Sequence, residues 1–291
     1  MNPIHSGLAA AGLWSVTALL VALLSNIPPF QIMALTWAIA VGVLAVFFSF
    51  KGGMSAEQFR RPVQDYFFVL GGIGGYTILY YFAFKTGPAF EVNALNYLWP
   101  ILIVVFIDIS ERKLPDKRQL AGMMTGFVGC ITLLAAKSWP LSFGGLSYAH
   151  LMAVSMAVIW ALYSCVTRNK NYPPAFMVPV FLILTVFFAV MHLAIEKWVA
   201  PSFNEWLIII FLGFTDISFI LWDYSMKKGN RILITSFSYF IPLFSTMFLV
   251  LGGFGTANNL IFLAAGLIIA GCIIVNSRSI FRALNMNGNK S

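Results

Sequence analysis

Long stretches of apolar residues, separated by short polar segments, dominate the pattern along this chain. Each is close to the roughly 20 residues that a helix needs to cross the hydrocarbon core of a bilayer. Ten such stretches cover residues 7–25, 30–50, 66–84, 89–107, 119–136, 146–167, 176–195, 205–225, 232–252 and 258–277. Their apolar residues are continuous and lack the alternation that marks the strands of a membrane β-barrel. The pattern therefore predicts an all-α integral membrane protein with ten transmembrane helices.

The composition agrees with this prediction. Of the 291 residues, 60% are hydrophobic and only 10% are charged, whereas a soluble domain carries about 25% charged residues because its surface faces water. Ten helices and their connections account for nearly the whole length, so no separate soluble domain is expected. The lipid bilayer is the expected partner of most of the surface.

Lysine and arginine are distributed unevenly over the segments that join the helices. Fifteen of the eighteen lie on one side of the predicted topology, and only Lys85, Lys137 and Lys197 lie on the other. Because basic residues concentrate in cytoplasmic loops, both the N- and C-termini are predicted to be cytoplasmic. The net charge of +8 is then a topology signal, and no nucleic-acid partner is predicted.

The second half of the chain repeats the first at an offset of 142 residues. Asn96–Pro100 aligns with Ser238–Pro242, and further pairs on three successive helices keep the same offset. With five helices in each half, the second half enters the membrane from the opposite side. We therefore predict two inverted five-helix repeats, residues 1–140 and 141–291. Many secondary transporters have this architecture, with the substrate site near the midplane between the halves.

Ten helices in two five-helix halves, the chain length and the cytoplasmic termini together resemble the drug/metabolite transporter superfamily, EamA type. Segment 93–100 of the fourth helix, Asn-Ala-Leu-Asn-Tyr-Leu-Trp-Pro, is similar to the same segment of the bacterial aromatic amino acid exporters in that superfamily. The resemblance implies a secondary transporter of the bacterial inner membrane that exports phenylalanine, tyrosine or tryptophan by alternating access. Export of another metabolite on the same fold, such as a threonine-like amino acid, a nucleobase or a drug, stays open.

The fourth helix carries the most informative polar residues. Asn93 and Asn96 are three residues apart and share a helix face, with Trp99 a further three residues on. Amides at this depth need partners, which are either neighbouring helices or a substrate in a wet cavity. Pro100 and its counterpart Pro242 lie inside their helices, where proline frees a carbonyl and bends the axis. They are candidates for kinks that shape the cavity and flex during transport.

Several aromatic residues are predicted to complete a substrate cavity, because aromatic rings stack on an aromatic substrate and attract its ammonium group. For each of them, lipid contact or core packing is the alternative. These candidates are Trp14, Tyr80, Tyr97, Trp160, Tyr163, Trp222 and Tyr239.

Charged residues are scarce inside the predicted spans. Asp216 lies near the centre of the eighth span, where an uncompensated carboxylate costs at least about 2.5–3.5 kcal/mol. It is the best candidate for an ammonium partner or a proton carrier, and a neutral, hydrogen-bonded structural role is the alternative. Asp108, Asp223 and Lys85 lie near helix ends, where we expect them to reach water.

Enzyme function is the main rival class. The sequence shows no HExxH, GxSxG, Walker A or paired-Asp motif, and its histidines are scattered. No metal site or cofactor is predicted, and a membrane-embedded enzyme is a remote alternative. The expected partners are a small-molecule substrate and the bilayer. Small-residue spacing at Gly71/Gly75 and Gly122/Gly126 permits close helix approach, which serves either internal packing or a homodimer.

Overall fold

The computed structural model describes residues 2–50, 59–87, 92, 95–114, 116–135, 147–251 and 259–288, and these residues form helices and connecting turns without a strand. We number the helices α1 to α13. They are α1 (Pro3–Leu23), α2 (Pro29–Phe50), α3 (Val63–Val69), α4 (Gly75–Thr86), α5 (Trp99–Ser110), α6 (Lys117–Ala135), α7 (Tyr148–Arg168), α8 (Met177–Ile195), α9 (Phe203–Asp216), α10 (Ser218–Lys228), α11 (Arg231–Phe237), α12 (Phe240–Leu251) and α13 (Asn259–Gly288). The prediction of an all-helical protein is confirmed.

Six helical segments of the described chain are long and apolar enough to cross a membrane. They are Pro3–Val21, Pro29–Phe50, Val63–Thr86, Tyr148–Arg168, Pro174–Ile195 and Phe203–Lys228. Three shorter apolar helices are Trp99–Ser110, Ile232–Ser245 and Phe262–Val275. Helical residues therefore fall within all ten predicted stretches, while the count of ten spans stays a prediction.

Both helices that carry the candidate proline kinks are interrupted just before the proline. The chain turns at Tyr97–Leu98 before α5 and at Ser238–Tyr239 before α12. Proline cannot donate a hydrogen bond to the carbonyl four residues earlier. At the second site the Ile241 amide donates to Ser238 O at 3.1 Å, so a tighter turn satisfies that carbonyl. The interruptions agree with the predicted positions of the kinks.

Two more interruptions lie at nearly equivalent places of the two halves. A π-helical turn at Leu70–Gly74 joins α3 to α4, and a turn at Ile217 separates α9 from α10. Shifted by the 142-residue offset, the first falls directly before the second. Such irregular turns are frequent at functional sites, and the second one directly follows Asp216.

Helices α6 and α13 pack closely because glycine leaves room between their backbones. A Cβ atom on Gly122 would lie 2.9 Å from Gly271 O and 2.7 Å from Val275 Cγ2. The small-residue spacing at Gly122 and Gly126 therefore serves packing within the chain. Around Gly71 no described atom lies within 4 Å of such a Cβ.

Ion pairs join several basic loops at one end of the bundle. Lys170 Nζ lies 2.9 Å from Asp65 Oδ1, and Arg168 Nη1 lies 2.9 Å from Glu111 Oε1. We call this the charged end. At the opposite end the Glu196 carboxylate accepts hydrogen bonds from the first backbone amides of α2. The loops that the sequence assigns to one side of the membrane thus meet at one end of the molecule.

Candidate functional site

A cavity lies between helices of both predicted halves. It contains about 820 Å³ of space not occupied by atoms, counting the part that opens to solvent. Its walls come from α1, α4, α5, α7, α9, α10 and α12 and from the residues that precede α5. The lining residues are Trp14, Thr17, Tyr76, Thr77, Tyr80, Tyr81, Asn96, Tyr97, Trp99, Trp160, Leu212, Thr215, Asp216, Phe219, Ile241 and Ser245.

Helical periodicity and the interruptions together position these side chains. On α4, residues 76, 77, 80 and 81 share one face because neighbours three and four apart lie on the same side of a helix. Residues 212, 215, 216 and 219 repeat the pattern across the turn at Ile217. The turn at Tyr97–Leu98 brings both Asn96 and Trp99 to the cavity wall.

Eight of the sixteen lining residues are aromatic, and Trp160 lies at the centre of their rings. Its ring centroid is 5.4 Å from that of Trp14 in an edge-to-face arrangement and 5.2 Å from that of Tyr76. Tyr80 continues the wall 5.9 Å from Tyr76. These separations are typical of favourable aromatic pairs, so the rings support one another and form a preformed apolar surface.

Two polar groups on the wall have unused hydrogen-bonding capacity. Asn96 Nδ2 donates to the Tyr76 hydroxyl at 3.3 Å, but Asn96 Oδ1 is buried and has no hydrogen-bond partner among the described residues. Asp216 Oδ2 is in the same situation within the described structure. Buried polar atoms are nearly always paired, so the two oxygens are candidates for pairing with a polar ligand.

The cavity has an asymmetric charge. Asp216 is the acidic residue of the lining set, and that set contains no lysine, arginine or histidine within the described ranges. A cationic group therefore finds a carboxylate and several aromatic faces here. Hydroxyl and amide groups are the donors available to an anionic group.

Seven of the residues singled out from the sequence line the cavity: Trp14, Tyr80, Asn96, Tyr97, Trp99, Trp160 and Asp216. Asn93 lies outside the described residues. Tyr163, Trp222 and Tyr239 are buried but lie behind the wall. Tyr163 stacks on Trp160 with centroids 5.1 Å apart, and Trp222 contacts Trp14 and donates from Nε1 to Ser164 Oγ at 3.0 Å.

Sequence reasoning missed several lining residues, of which Tyr76 and Tyr81 are the largest. Tyr76 precedes Tyr80 by one helical turn, so the i, i+4 rule applied to Tyr80 was the signal that would have found it. Thr17 follows Trp14 by three residues and therefore shares its helix face, so the same rule would have found it. No such signal exists for Phe219, Leu212 and Ile241, because apolar residues occur on both the lipid-facing and the cavity-facing sides of an apolar helix.

A second polar cluster lies toward the charged end. Asp223 is only 8% exposed, and its Oδ2 lies 2.7 Å from Lys227 Nζ while its Oδ1 accepts a hydrogen bond from the Tyr172 hydroxyl at 2.9 Å. The Lys227 ammonium also lies 3.2 Å from the centroid of the Tyr172 ring. Burial raises the pKa of the Tyr172 hydroxyl, so it remains a proton donor.

The expectation that Asp223 reaches water is therefore wrong. The loop that carries Tyr172 folds over the carboxylate, and the protein provides its partners. Asp108 is also buried, at 6% exposure, whereas Lys85 is exposed as expected. In the described parts of the chain, no group of three or more His, Cys, Asp or Glu side chains is arranged to hold a metal ion.

A bundle of apolar helices around a central cavity with an aromatic wall is typical of carriers of small solutes. The EamA-like transporter family model matches residues 3–135 and again residues 147–277. The chain belongs to this family.

Three proteins with similar sequences are aromatic amino acid exporters. The chain is 33% identical over 279 residues to the aromatic amino acid exporter YddG of Ancylobacter novellus, covering 92% of this chain and 94% of that protein. It is 26% identical to the exporters of the same name from Salmonella typhimurium and Escherichia coli, over 54% of this chain and 57% of each of them. A crystal structure with 30% identity superposes with a TM-score of 0.84 and covers 94% of this chain and 97% of its own.

Proposed function

We propose that this protein is a secondary transporter that exports phenylalanine, tyrosine and tryptophan by alternating access through the cavity. The observation that carries the proposal is the aromatic wall around Trp160, interrupted by the two oxygens of Asn96 and Asp216 that have no hydrogen-bond partner in the described structure. The likeness to an aromatic amino acid exporter over nearly the whole chain supports it.

The chemistry of an aromatic amino acid matches the cavity. Its ring stacks against the tryptophan and tyrosine faces, while its ammonium group meets Asp216 and the π faces. The ammonium group is also expected to donate to the unpaired Asn96 Oδ1, while the substrate carboxylate accepts hydrogen bonds from the tyrosine hydroxyls.

We further propose that the chain has ten transmembrane helices in two inverted repeats, with both termini in the cytoplasm of a bacterium and the helices in its inner membrane. The two matches to the family model fall within the proposed repeats 1–140 and 141–291. The matching interruptions of the helices at the 142-residue offset also support this architecture. Alternating access then corresponds to rocking of one repeat against the other around the cavity.

Exchange in proteoliposomes tests the substrate. Liposomes loaded with unlabelled phenylalanine are expected to take up labelled phenylalanine, with tyrosine and tryptophan as competitors and threonine and uracil without effect. Replacing Trp99, which is 3% exposed in the wall, by leucine should raise KM by about fivefold, since an aromatic contact contributes about 1 kcal/mol. Trp206→Leu, at an exposed position of α9, is the matched control.

Exchange confined to threonine-like amino acids, nucleobases or drugs would contradict the aromatic substrate and leave the transporter family in place. Equal effects of Trp99→Leu and Trp206→Leu would contradict the assignment of the cavity as the binding site.

Accessibility of single cysteines tests the orientation. In a background where Cys130, Cys165 and Cys272 are replaced by alanine, we would introduce Ser202→Cys or Lys113→Cys, both at exposed positions. A membrane-impermeant maleimide should label the first variant in cells with a permeabilised outer membrane and the second only after the inner membrane is opened. The reverse result would invert the proposed topology.

A further inference from the structure

Asp216 has an environment that differs from that of an ordinary structural carboxylate. It is the last residue of α9, directly before the turn at Ile217, and lines the cavity. The Thr36 hydroxyl of α2 interacts with the carboxyl group, whereas Oδ2 is buried with no hydrogen-bond partner among the described residues. The side chain as a whole is half-buried and belongs to the cavity wall, so the carboxyl group combines an unpaired buried oxygen with access to the cavity.

The groups around Asp216 do not neutralise it. Helix α2 contributes Thr36 and α4 contributes Tyr81, while Tyr80 and Thr17 lie on the same cavity wall. The tyrosine hydroxyls are the other titratable groups on this wall, and no basic side chain lines it within the described ranges. A negative charge on Asp216 is therefore uncompensated whenever the cavity is empty.

An uncompensated charge makes movement of the empty carrier unfavourable. The cost of an ion at the centre of a membrane span lowers the population of the charged, empty state by roughly 100-fold. A proton on the carboxyl group removes this cost, and a bound ammonium group offsets it by pairing with the carboxylate, while the tyrosine hydroxyls hold the carboxylate that the substrate brings with it. Either cation therefore permits the bundle to alternate, and the two compete for the same oxygen.

We propose that Asp216 is the coupling site of the transporter, where a proton and the ammonium group of the substrate bind in turn. This inference rests on the proposed function. When the substrate binds, the O–H bond of the Asp216 carboxyl group breaks, the proton leaves to water, and the carboxylate pairs with the ammonium. On the other side of the membrane a proton from water re-forms the O–H bond as the substrate leaves. Substrate and proton thus move in opposite directions.

Proton release on substrate binding is the direct test. Purified protein in detergent, in a weakly buffered solution with a pH indicator, should release about one proton for each tryptophan bound when the carboxyl group starts out protonated. Asp216→Asn should release none. Glu205→Gln removes a carboxylate at the start of the same helix that does not line the cavity and should release as many protons as the unchanged protein.

Transport in proteoliposomes separates coupling from substrate identity. The unchanged protein should exchange phenylalanine without a pH gradient and accumulate it against its concentration when a gradient is imposed. Asp216→Asn should keep exchange with a raised KM and lose accumulation. Asp216→Glu, which retains an acidic group, should restore accumulation with a shifted pH dependence.

The transport experiments distinguish failure of the coupling proposal from failure of the proposed function. Exchange without gradient-driven accumulation by the unchanged protein would overturn the coupling proposal and leave the proposed function intact, whereas no exchange of aromatic amino acids would overturn both. Accumulation by Asp216→Asn would also overturn the coupling proposal. If Asp216→Asn loses exchange as well, the Asp216→Glu variant decides the question. Proton release by Asp216→Glu with the same pH dependence as in the unchanged protein would show that the released proton does not come from residue 216.

Discussion

Asp216 and Asp223 are two carboxylates in the same helical segment, seven residues apart and therefore about 10 Å apart along the axis. Both oxygens of Asp223 have partners, Lys227 on one side and Tyr172 on the other. Asp216 lines the cavity, and its Oδ2 is buried without a hydrogen-bond partner in the described structure. The same residue type thus has two different environments within two helical turns.

The comparison suggests different roles for the two carboxylates: the one whose oxygens are paired within the protein stabilises the fold, and the other is assigned to transport. Asp223 ties the loop of Tyr172 to α10 and so helps to close the charged end. Among the described residues no basic side chain lines the cavity with Asp216, and the proposed function assigns this carboxyl group to the substrate. We therefore expect changes at Asp223 to affect stability and changes at Asp216 to affect transport.

Asp223→Asn is expected to have the largest effect. It leaves the Lys227 ammonium, whose side chain is only 13% exposed, without a charged partner, and breaking a buried pair in this way costs about 3–5 kcal/mol. The thermal midpoint of the purified protein in detergent should fall by several degrees. Lys228→Met, which removes the exposed neighbouring charge, is the control.

The double variant Asp223→Asn/Lys227→Met tests the cause. If a stranded ammonium is responsible, removing it should recover part of the lost stability. A midpoint for Asp223→Asn equal to that of the unchanged protein would show that the pair does not stabilise the charged end.

Tyr172→Phe should have a smaller effect on the same cluster. It keeps the ring below the Lys227 ammonium but removes the hydroxyl that donates to Asp223 Oδ1, and an unsatisfied buried acceptor costs about 1–3 kcal/mol. Thermal unfolding should show a decrease that lies between those of Asp223→Asn and the control Tyr148→Phe. Tyr148 is 86% exposed, so an equal loss in both variants would argue against the role of the hydrogen bond.

The sequence predicted the helical segments well because the bilayer fixes their length and apolarity. It also located both proline-associated interruptions, since the repeat offset is independent of packing. It did not predict which side of each helix faces the cavity. Tyr163 and Trp222 are as aromatic as Trp160, yet they lie behind the wall, because helix rotation depends on contacts with several neighbouring helices.

The error at Asp223 has a related cause. Its position near a helix end suggested water, but the loop that covers it carries Tyr172, 51 residues earlier in the chain. Local sequence does not contain that contact. Asp216 lies on the cavity wall, and its role as an ammonium partner or proton carrier stays a prediction.

Asn96→Leu should affect transport more than stability. In the structure the amide makes one hydrogen bond, at 3.3 Å to Tyr76, so its loss costs the fold little. Loss of a hydrogen bond to a charged substrate group, at about 1.5 kcal/mol, should raise KM for phenylalanine about tenfold. Asn204→Leu, at an exposed position of α9, is the control, and a raised KM in both variants would contradict a role of the Asn96 amide in binding.

Asp216→Asn is expected to have the smallest effect on stability and the opposite pattern to Asp223→Asn. The amide has nearly the shape of the carboxylate but no charge that burial penalises, so the thermal midpoint without substrate should stay equal or rise slightly. In the unchanged protein, phenylalanine at 100 times its Kd should add about 2.7 kcal/mol of stability. At the same concentration the variant should gain less, because its affinity is lower. A decrease of the substrate-free midpoint as large as that of Asp223→Asn would mean that Asp216, too, is a structural carboxylate whose partner forms part of the fold.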